Sequence, residues 1–260
     1  MEYLVVCLVA VLVSGLTLFS GFGLGTLLMP AFALFFPVPT AIAATAVVHL
    51  ANNIFKVILV GRNADWGVVL RFALPGAVAA MAGAALLAVF ADLPPVYAHA
   101  LGGRTHEITL VKLTIGVLII LFALFEWIPY FNNLAFDRKY LPLGGLLSGF
   151  FGGLSGNQGA MRSAFLIKAG LGKEAFIGTG TVSSVIVDVA RLLVYGAGFY
   201  AVRFEGIRDV WGLVVAATLA AFLGAFIGAR LVRKITLRGL QIMVAAMLML
   251  IGAGMASGLL

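Results

Sequence analysis

The sequence predicts an all-α integral membrane protein built from two inverted repeats, each a glycine-broken re-entrant segment followed by three transmembrane helices. Three observations predict it. The chain is 63% hydrophobic and 10% charged over 260 residues, with a mean hydropathy of +1.14, more apolar surface than a soluble chain of this size could hide. Its apolar residues run on without alternating, which excludes a closed β-barrel. A glycine-broken apolar segment also occurs twice, as Ser20-Gly21-Phe22-Gly23-Leu24-Gly25-Thr26 and again as Ser155-Gly156-Asn157-Gln158-Gly159.

Taken in order, the first broken segment covers 3–36, and apolar runs of spanning length follow at 40–60, 72–91 and 110–127. The second broken segment covers 141–167 and is followed by 176–200, 210–229 and 239–259. Roughly 20 helical residues cross a hydrocarbon core of about 30 Å, so each plain run suffices for one crossing. The repeats divide at 1–130 and 131–260. Met1-Glu2-Tyr3 has no basic character and the apolar stretch after it is too long for a cleavable signal, so it is expected in the mature chain. Trp66, Trp127, Tyr130, Tyr140 and Trp211 fall near span ends and read as interfacial anchors. The single cysteine, Cys7, excludes an internal disulfide. The loop 91–109 holds His99 and His106 without ligand spacing, so neither a metal nor any other cofactor is expected.

The net charge of +7 sits in short loops without interleaved aromatics, which reports orientation in the lipid bilayer and no nucleic-acid partner. Lys56, Arg162 and Arg191 lie inside apolar segments, leaving fourteen basic residues in loops. If both broken segments turn back, ten fall on one side (Arg62, Arg71, Arg138, Lys139, Lys168, Lys173, Arg230, Arg233, Lys234 and Arg238) against four on the other. That asymmetry favours re-entrant segments with both termini outside. Three crossings per half then insert the second half upside down, around a shared site near mid-depth. Eight plain crossings with parallel repeats stay open as the alternative.

A non-helical turn at mid-depth is tolerated only where it faces protein or water. The helices that restart from about Thr26 and from about Ala160 would aim free N–H groups and positive dipole ends at that point, making an anion site. Gly21, Gly23 and Gly25 would let backbone approach closely, as would Gly156 and Gly159 beside Ser155; Thr26 and Asn157 suit N-caps, and Asn157 and Gln158 add amide donors. Simple close packing of small residues is the bland reading of the same glycines.

Two polar stripes follow the breaks. His49, Asn52, Asn53 and Lys56 share one helix face at i, i+3, i+4, i+7, and Thr181, Ser184, Asp188 and Arg191 form the equivalent face in the second half. Lys56 could snorkel, and Asp188 with Arg191 could be an internal ion pair. Alternatively Lys56 and Arg191, at depths about 15 Å apart, are successive stations on either side of a central cradle. Arg162, three residues past Gly159, is an unfavourable cation for that helix alone, so an anionic partner is expected, either substrate or Asp188. His49 could carry a proton or merely pack.

Together, the Ser20–Pro30 glycine-rich segment, the Asn52, Asn53 and Lys56 helix and the second glycine-rich segment near 148–165 resemble the TauE/SafE family, also called the sulfite exporter or TSUP family. The resemblance covers nearly the whole chain and departs from the family pattern at Ser155–Ser163. It implies movement of sulfite, sulfonates or related small organic anions across the bacterial inner membrane. The reading is therefore a secondary transporter that exports a small anion, with proton coupling and homodimer formation left open. An anion channel is the nearer rival. An intramembrane enzyme is disfavoured, because Asp188 is the only acid deep in a span and no nucleophile and base are spaced to cooperate.

Overall fold

The computed structural model describes residues 1–20, 24–128, 134–200, 210–231 and 237–260. Gly21 and Gly23, Tyr130, the 130/131 repeat boundary and Arg203, Arg208, Arg233 and Lys234 lie outside the described residues. The helices are α1 (Glu2–Ser20), α2 (Leu24–Ala33), α3 (Val38–Val60), α4 (Trp66–Ala91), α5 (Leu110–Trp127), α6 (Leu141–Ser155), α7 (Gly159–Leu166), α8 (Lys173–Tyr200), α9 (Trp211–Leu231) and α10 (Leu237–Ala256). Each apolar run of the sequence is thus a helix. Local chemistry sets several starts: the Asp65 side chain accepts the backbone N–H of Val68 ahead of α4, and the Thr109 hydroxyl accepts that of Lys112 ahead of α5.

Four helices are long and apolar enough to cross a membrane, within Val38–Ile58, Trp66–Ala91, Lys173–Ala197 and Trp211–Gly228. With the shorter apolar helices beside them, they make a multi-pass membrane protein. Leu70, Leu74 and Val78 on α4, and Val215, Leu219 and Leu223 on α9, point outward at four-residue spacing, as a lipid-facing stripe requires. Trp66, Trp127, Tyr140 and Trp211 are exposed at or beside the ends of α4, α5, α6 and α9.

The expected loop 91–109 is in part a β-hairpin. Strands β1 (Tyr97–Leu101) and β2 (Arg104–Ile108) pair antiparallel, with His99 opposite His106 and the two rings stacked at 5.7 Å. Gly102 and Gly103 hold φ of 60° and 77° at the turn, the positive values that a two-residue hairpin loop demands. The Gly-Gly pair was the sequence signal for it.

Inside, helices meet backbone to backbone. A Cβ added to Gly145, Gly149 or Gly153 of α6 would overlap the carbonyls of Phe72, Gly76 and Ala80 on α4, a parallel crossing repeated every four residues. A second pair has the same device: Gly224 and Gly228 of α9 lie against the carbonyls of Val11 and Gly15 on α1, again parallel. Small residues permit this approach, and dispersion over the shared length holds the pair together without help from water. By contrast α5 and α10 run antiparallel, with Gly116 against Gly252 and Ala256, and Ile119 and Ile120 against Gly252.

The second broken segment folds back on itself. Gly152 of α6 faces Gln158 at the start of α7, while Gly144 near the start of α6 faces Phe165 near the end of α7. The Ser148 hydroxyl donates to the Gln158 carbonyl at 2.9 Å, and the Phe136 N–H donates to the Ala164 carbonyl at 3.1 Å, so chain entry and exit lie side by side. α6 and α7 are a helical hairpin. In the first half α1 and α2 pack on one another, with the turn between them outside the described residues.

Candidate functional site

The two polar stripes face each other. α3 and α8 run antiparallel: Gly178 lies against the carbonyl of Val60, Gly61 against Val182, and His49 against Asp188. This register sets Lys56 level with Thr181, and it divides the buried polar groups into two layers.

The first layer centres on the fully buried Asp188. Its Oδ2 lies 2.6 Å from His49 Nδ1 and accepts from Asn53 Nδ2 at 3.2 Å. Its Oδ1 accepts from Arg191 Nε at 3.1 Å, Arg191 Nη2 at 2.8 Å and Gln158 Nε2 at 2.9 Å. An ionised carboxylate only accepts, so His49 carries a proton on Nδ1 and donates it; Asn53 Nδ2 lies 3.0 Å from the same nitrogen, and Nε2 has a single long contact among the described residues, to Asn53 at 3.4 Å. Arg191 Nη1 donates to the Gly152 carbonyl at 3.1 Å, and the Tyr195 hydroxyl donates to the Gly153 carbonyl. Asn52 joins the layer to α1, its Oδ1 accepting from Ser14 at 3.2 Å. A buried carboxylate is tolerable only with such company, because desolvation is offset by charge-assisted bonds on both oxygens. Arg191 is therefore engaged as the ion-pair alternative described, with all three nitrogens committed, and its level lies about 15 Å along α8 from that of Lys56.

The second layer is poorly satisfied. Arg162 reaches from α7 against Gly180, and its Nη1 donates to the Ser184 hydroxyl, which itself donates to the Gly180 carbonyl at 3.0 Å. That is the only hydrogen bond Arg162 makes among the described residues, so it does not bond Asp188, one of the two partners expected for it. Lys56 is 7% exposed, and among the described residues it has neither a hydrogen bond nor an ion pair. Arg162's charge reaches it. The sequence reading put Lys56 toward one membrane face and Arg162 at the centre; the α3–α8 register instead brings the two cations to one level. Thr181 donates to its own helix at the Ile177 carbonyl, 2.8 Å away.

Between the layers and the broken segments lies the turn 156–158. Gly156 ends α6 at φ 82°, left-handed, which is why glycine stands there. Ser155 bonds back to the Phe151 carbonyl at 2.9 Å. Gln158, not Asn157, is the N-cap of α7, which begins at Gly159; Asn157 precedes the cap, is buried, and has both amide atoms without a partner. Thr26 is likewise no cap but the third residue of α2, buried. A Cβ on Gly25 would lie 2.8 Å from the Gly156 carbonyl and 4.0 Å from the Thr45 methyl, so the first broken segment meets the second at this turn.

Sequence reasoning missed Ser14, Ser148 and Tyr195. Tyr195, four residues past Arg191 on the same face, had a readable signal; the other two become polar partners only through packing. A family model described as sulfite exporter TauE/SafE matches residues 4–255. No curated protein and no solved structure compared with the chain matches it.

Proposed function

The chain belongs to the sulfite exporter TauE/SafE family, and from that premise we propose that it is a secondary transporter exporting a small oxyanion across the bacterial inner membrane. One observation carries the reading. In a body of apolar helices, Lys56 and Arg162 hold charge at one level and, among the described residues, have one hydrogen bond in all, from Arg162 to Ser184, and no contacting carboxylate. Charged side chains within membrane helices are costly and mark substrate pathways. The first layer is then the scaffold that fixes α3, α6 and α8, and the turn at Gly156 and Asn157, with Gly25, is the hinge region beside the anion. Asn157 supplies amide donors that no group among the described residues uses.

The same reading takes residues 1–130 and 131–260 as inverted repeats. Its support is the antiparallel pairing of α3 with α8 and of α5 with α10, together with the matching parallel crossings of α1 on α9 and α6 on α4. Opposed halves around a site at their interface allow one half to rock against the other, opening to each side in turn. His49 would couple a proton to that motion at Nε2, with Asp188 stabilising the imidazolium.

The test is flux from proteoliposomes loaded with sulfite. Saturable efflux that accelerates under an imposed proton gradient, and falls at least tenfold in His49→Gln only when that gradient is present, is the expected result. Electrical conductance reversing at the sulfite equilibrium potential would replace the transporter by a channel, and absence of any anion movement would end the proposal.

A further inference from the structure

We infer that the layer formed by Lys56 and Arg162 is a two-cation clamp that selects its ligand by charge number, binding doubly charged oxyanions in preference to singly charged ones. The inference deepens the proposed function and rests on it.

The argument is a count of charges that have partners and charges that do not. Four permanently ionisable groups lie on the facing stripes and α7: Lys56, Arg162, Asp188 and Arg191. Asp188 gives one oxygen to both Nε and Nη2 of Arg191, so one negative charge is matched to one positive. His49 donates from Nδ1 and brings no negative charge, so nothing in that layer is left to neutralise a further cation. No other Asp or Glu is buried among the described residues. Among the described residues, Lys56 and Arg162 are therefore two positive charges at one level with no carboxylate in contact.

Geometry supports the count. Lys56 is more than nine-tenths buried, and among the described residues no group bonds its ammonium. Arg162 has its Nη1 on a neutral hydroxyl, which orients the guanidinium without cancelling it, and its other two nitrogens are unused among the described residues. The two come from different elements, α3 and α7, which the α3–α8 register and the contact of Arg162 with Gly180 bring to one level. Like charges held together in a low-dielectric interior repel strongly. A monoanion relieves only one of them, whereas a dianion neutralises both and removes their mutual repulsion. A planar guanidinium also matches two oxygens of one oxyanion, while an ammonium acts as a point charge on the third.

The test compares anions of similar shape and different charge on the purified full-length protein. In mildly alkaline buffer, where sulfite is doubly ionised, sulfite is measured against methanesulfonate, and sulfoacetate against isethionate, by isothermal titration. The dianion of each pair should bind at least about tenfold tighter, a difference of about 1.4 kcal/mol. Lys56→Gln should bring both ratios to about one, chiefly by losing dianion affinity, whereas Lys56→Arg should keep them. Equal affinities in the unaltered protein would overturn the clamp, as would an unchanged preference in Lys56→Gln. Should Lys56→Gln fail to fold, the wild-type ratios together with Lys56→Arg still decide. Binding of no anion at all would remove the proposed transport function itself, whereas equal binding of both charge classes would remove only the clamp.

Discussion

The layers around Asp188 and around Arg162 contain the same kinds of residue, yet they end in opposite states. At Asp188 the charged partners are committed to one another and to the backbone: both carboxylate oxygens and all three nitrogens of Arg191 are bonded within the protein. At Arg162 one nitrogen meets one hydroxyl, and Lys56 meets nothing. The difference teaches how to read a buried charge in a membrane protein. A saturated one is a cross-link among helices, while an unsaturated one is the place where the proposed function puts a group that arrives from outside. Residue type does not separate the two cases, since Lys56 and Arg191 are both buried cations on facing stripes, although Arg162 is only half-buried.

The largest effect that would break this contrast lies in the saturated layer. Asp188→Ala leaves Arg191 buried beside no carboxylate, and should destabilise the folded protein by about 3–5 kcal/mol. Thermal or urea unfolding of the purified protein measures it. Asp188→Leu combined with Arg191→Leu should cost less than the two single losses added together, because partners in one ion pair do not contribute independently. Simple additivity would mean that the layer is not the cross-link described.

In the other layer the order of effects reverses, with function lost and the fold kept. Arg162→Ala should weaken sulfite binding by about 1.5–3 kcal/mol, the range for hydrogen bonds to a charged group, while the unfolding midpoint stays close to that of the unaltered chain. Loss of binding only through loss of folding would place Arg162 in the scaffold. A smaller effect sharpens the comparison. Ser184→Ala removes the hydroxyl that orients Arg162 and should weaken binding by about 0.5–1.5 kcal/mol. An effect as large as that of Arg162→Ala would show Ser184 to be a direct ligand.

Much of this could be read from the chain. The two stripes were legible because helical periodicity is local: residues at i, i+3, i+4 and i+7 share a face whatever surrounds them, and in an apolar helix that face must turn inward. The glycine breaks were legible for the same reason, and α6 and α7 do fold back at Gly156. Other features were not. The partners of Asp188 are His49, 139 positions away, and Gln158, 30 positions away, and nothing in either neighbourhood names the other. Thr26 and Asn157 looked like caps by residue type, but a cap depends on the residue at which the backbone turns helical, and that point fell elsewhere.

The sequence by itself determined that this is a membrane protein of broken and unbroken helices with two inward polar faces, because hydropathy and periodicity act over single helices. Only the tertiary structure decided which charges on those faces are spent on one another. That choice depends on depth, and depth is set by where the glycines of α6 seat on α4 and where α3 seats on α8. A shift of one helical turn, about 5.4 Å, would give Asp188 different partners. Asp188 and Arg191 meet within α8, at i, i+3, but the register brings His49 to the carboxylate and leaves Lys56 level with Arg162, since helices packed through small residues lock where their backbones fit.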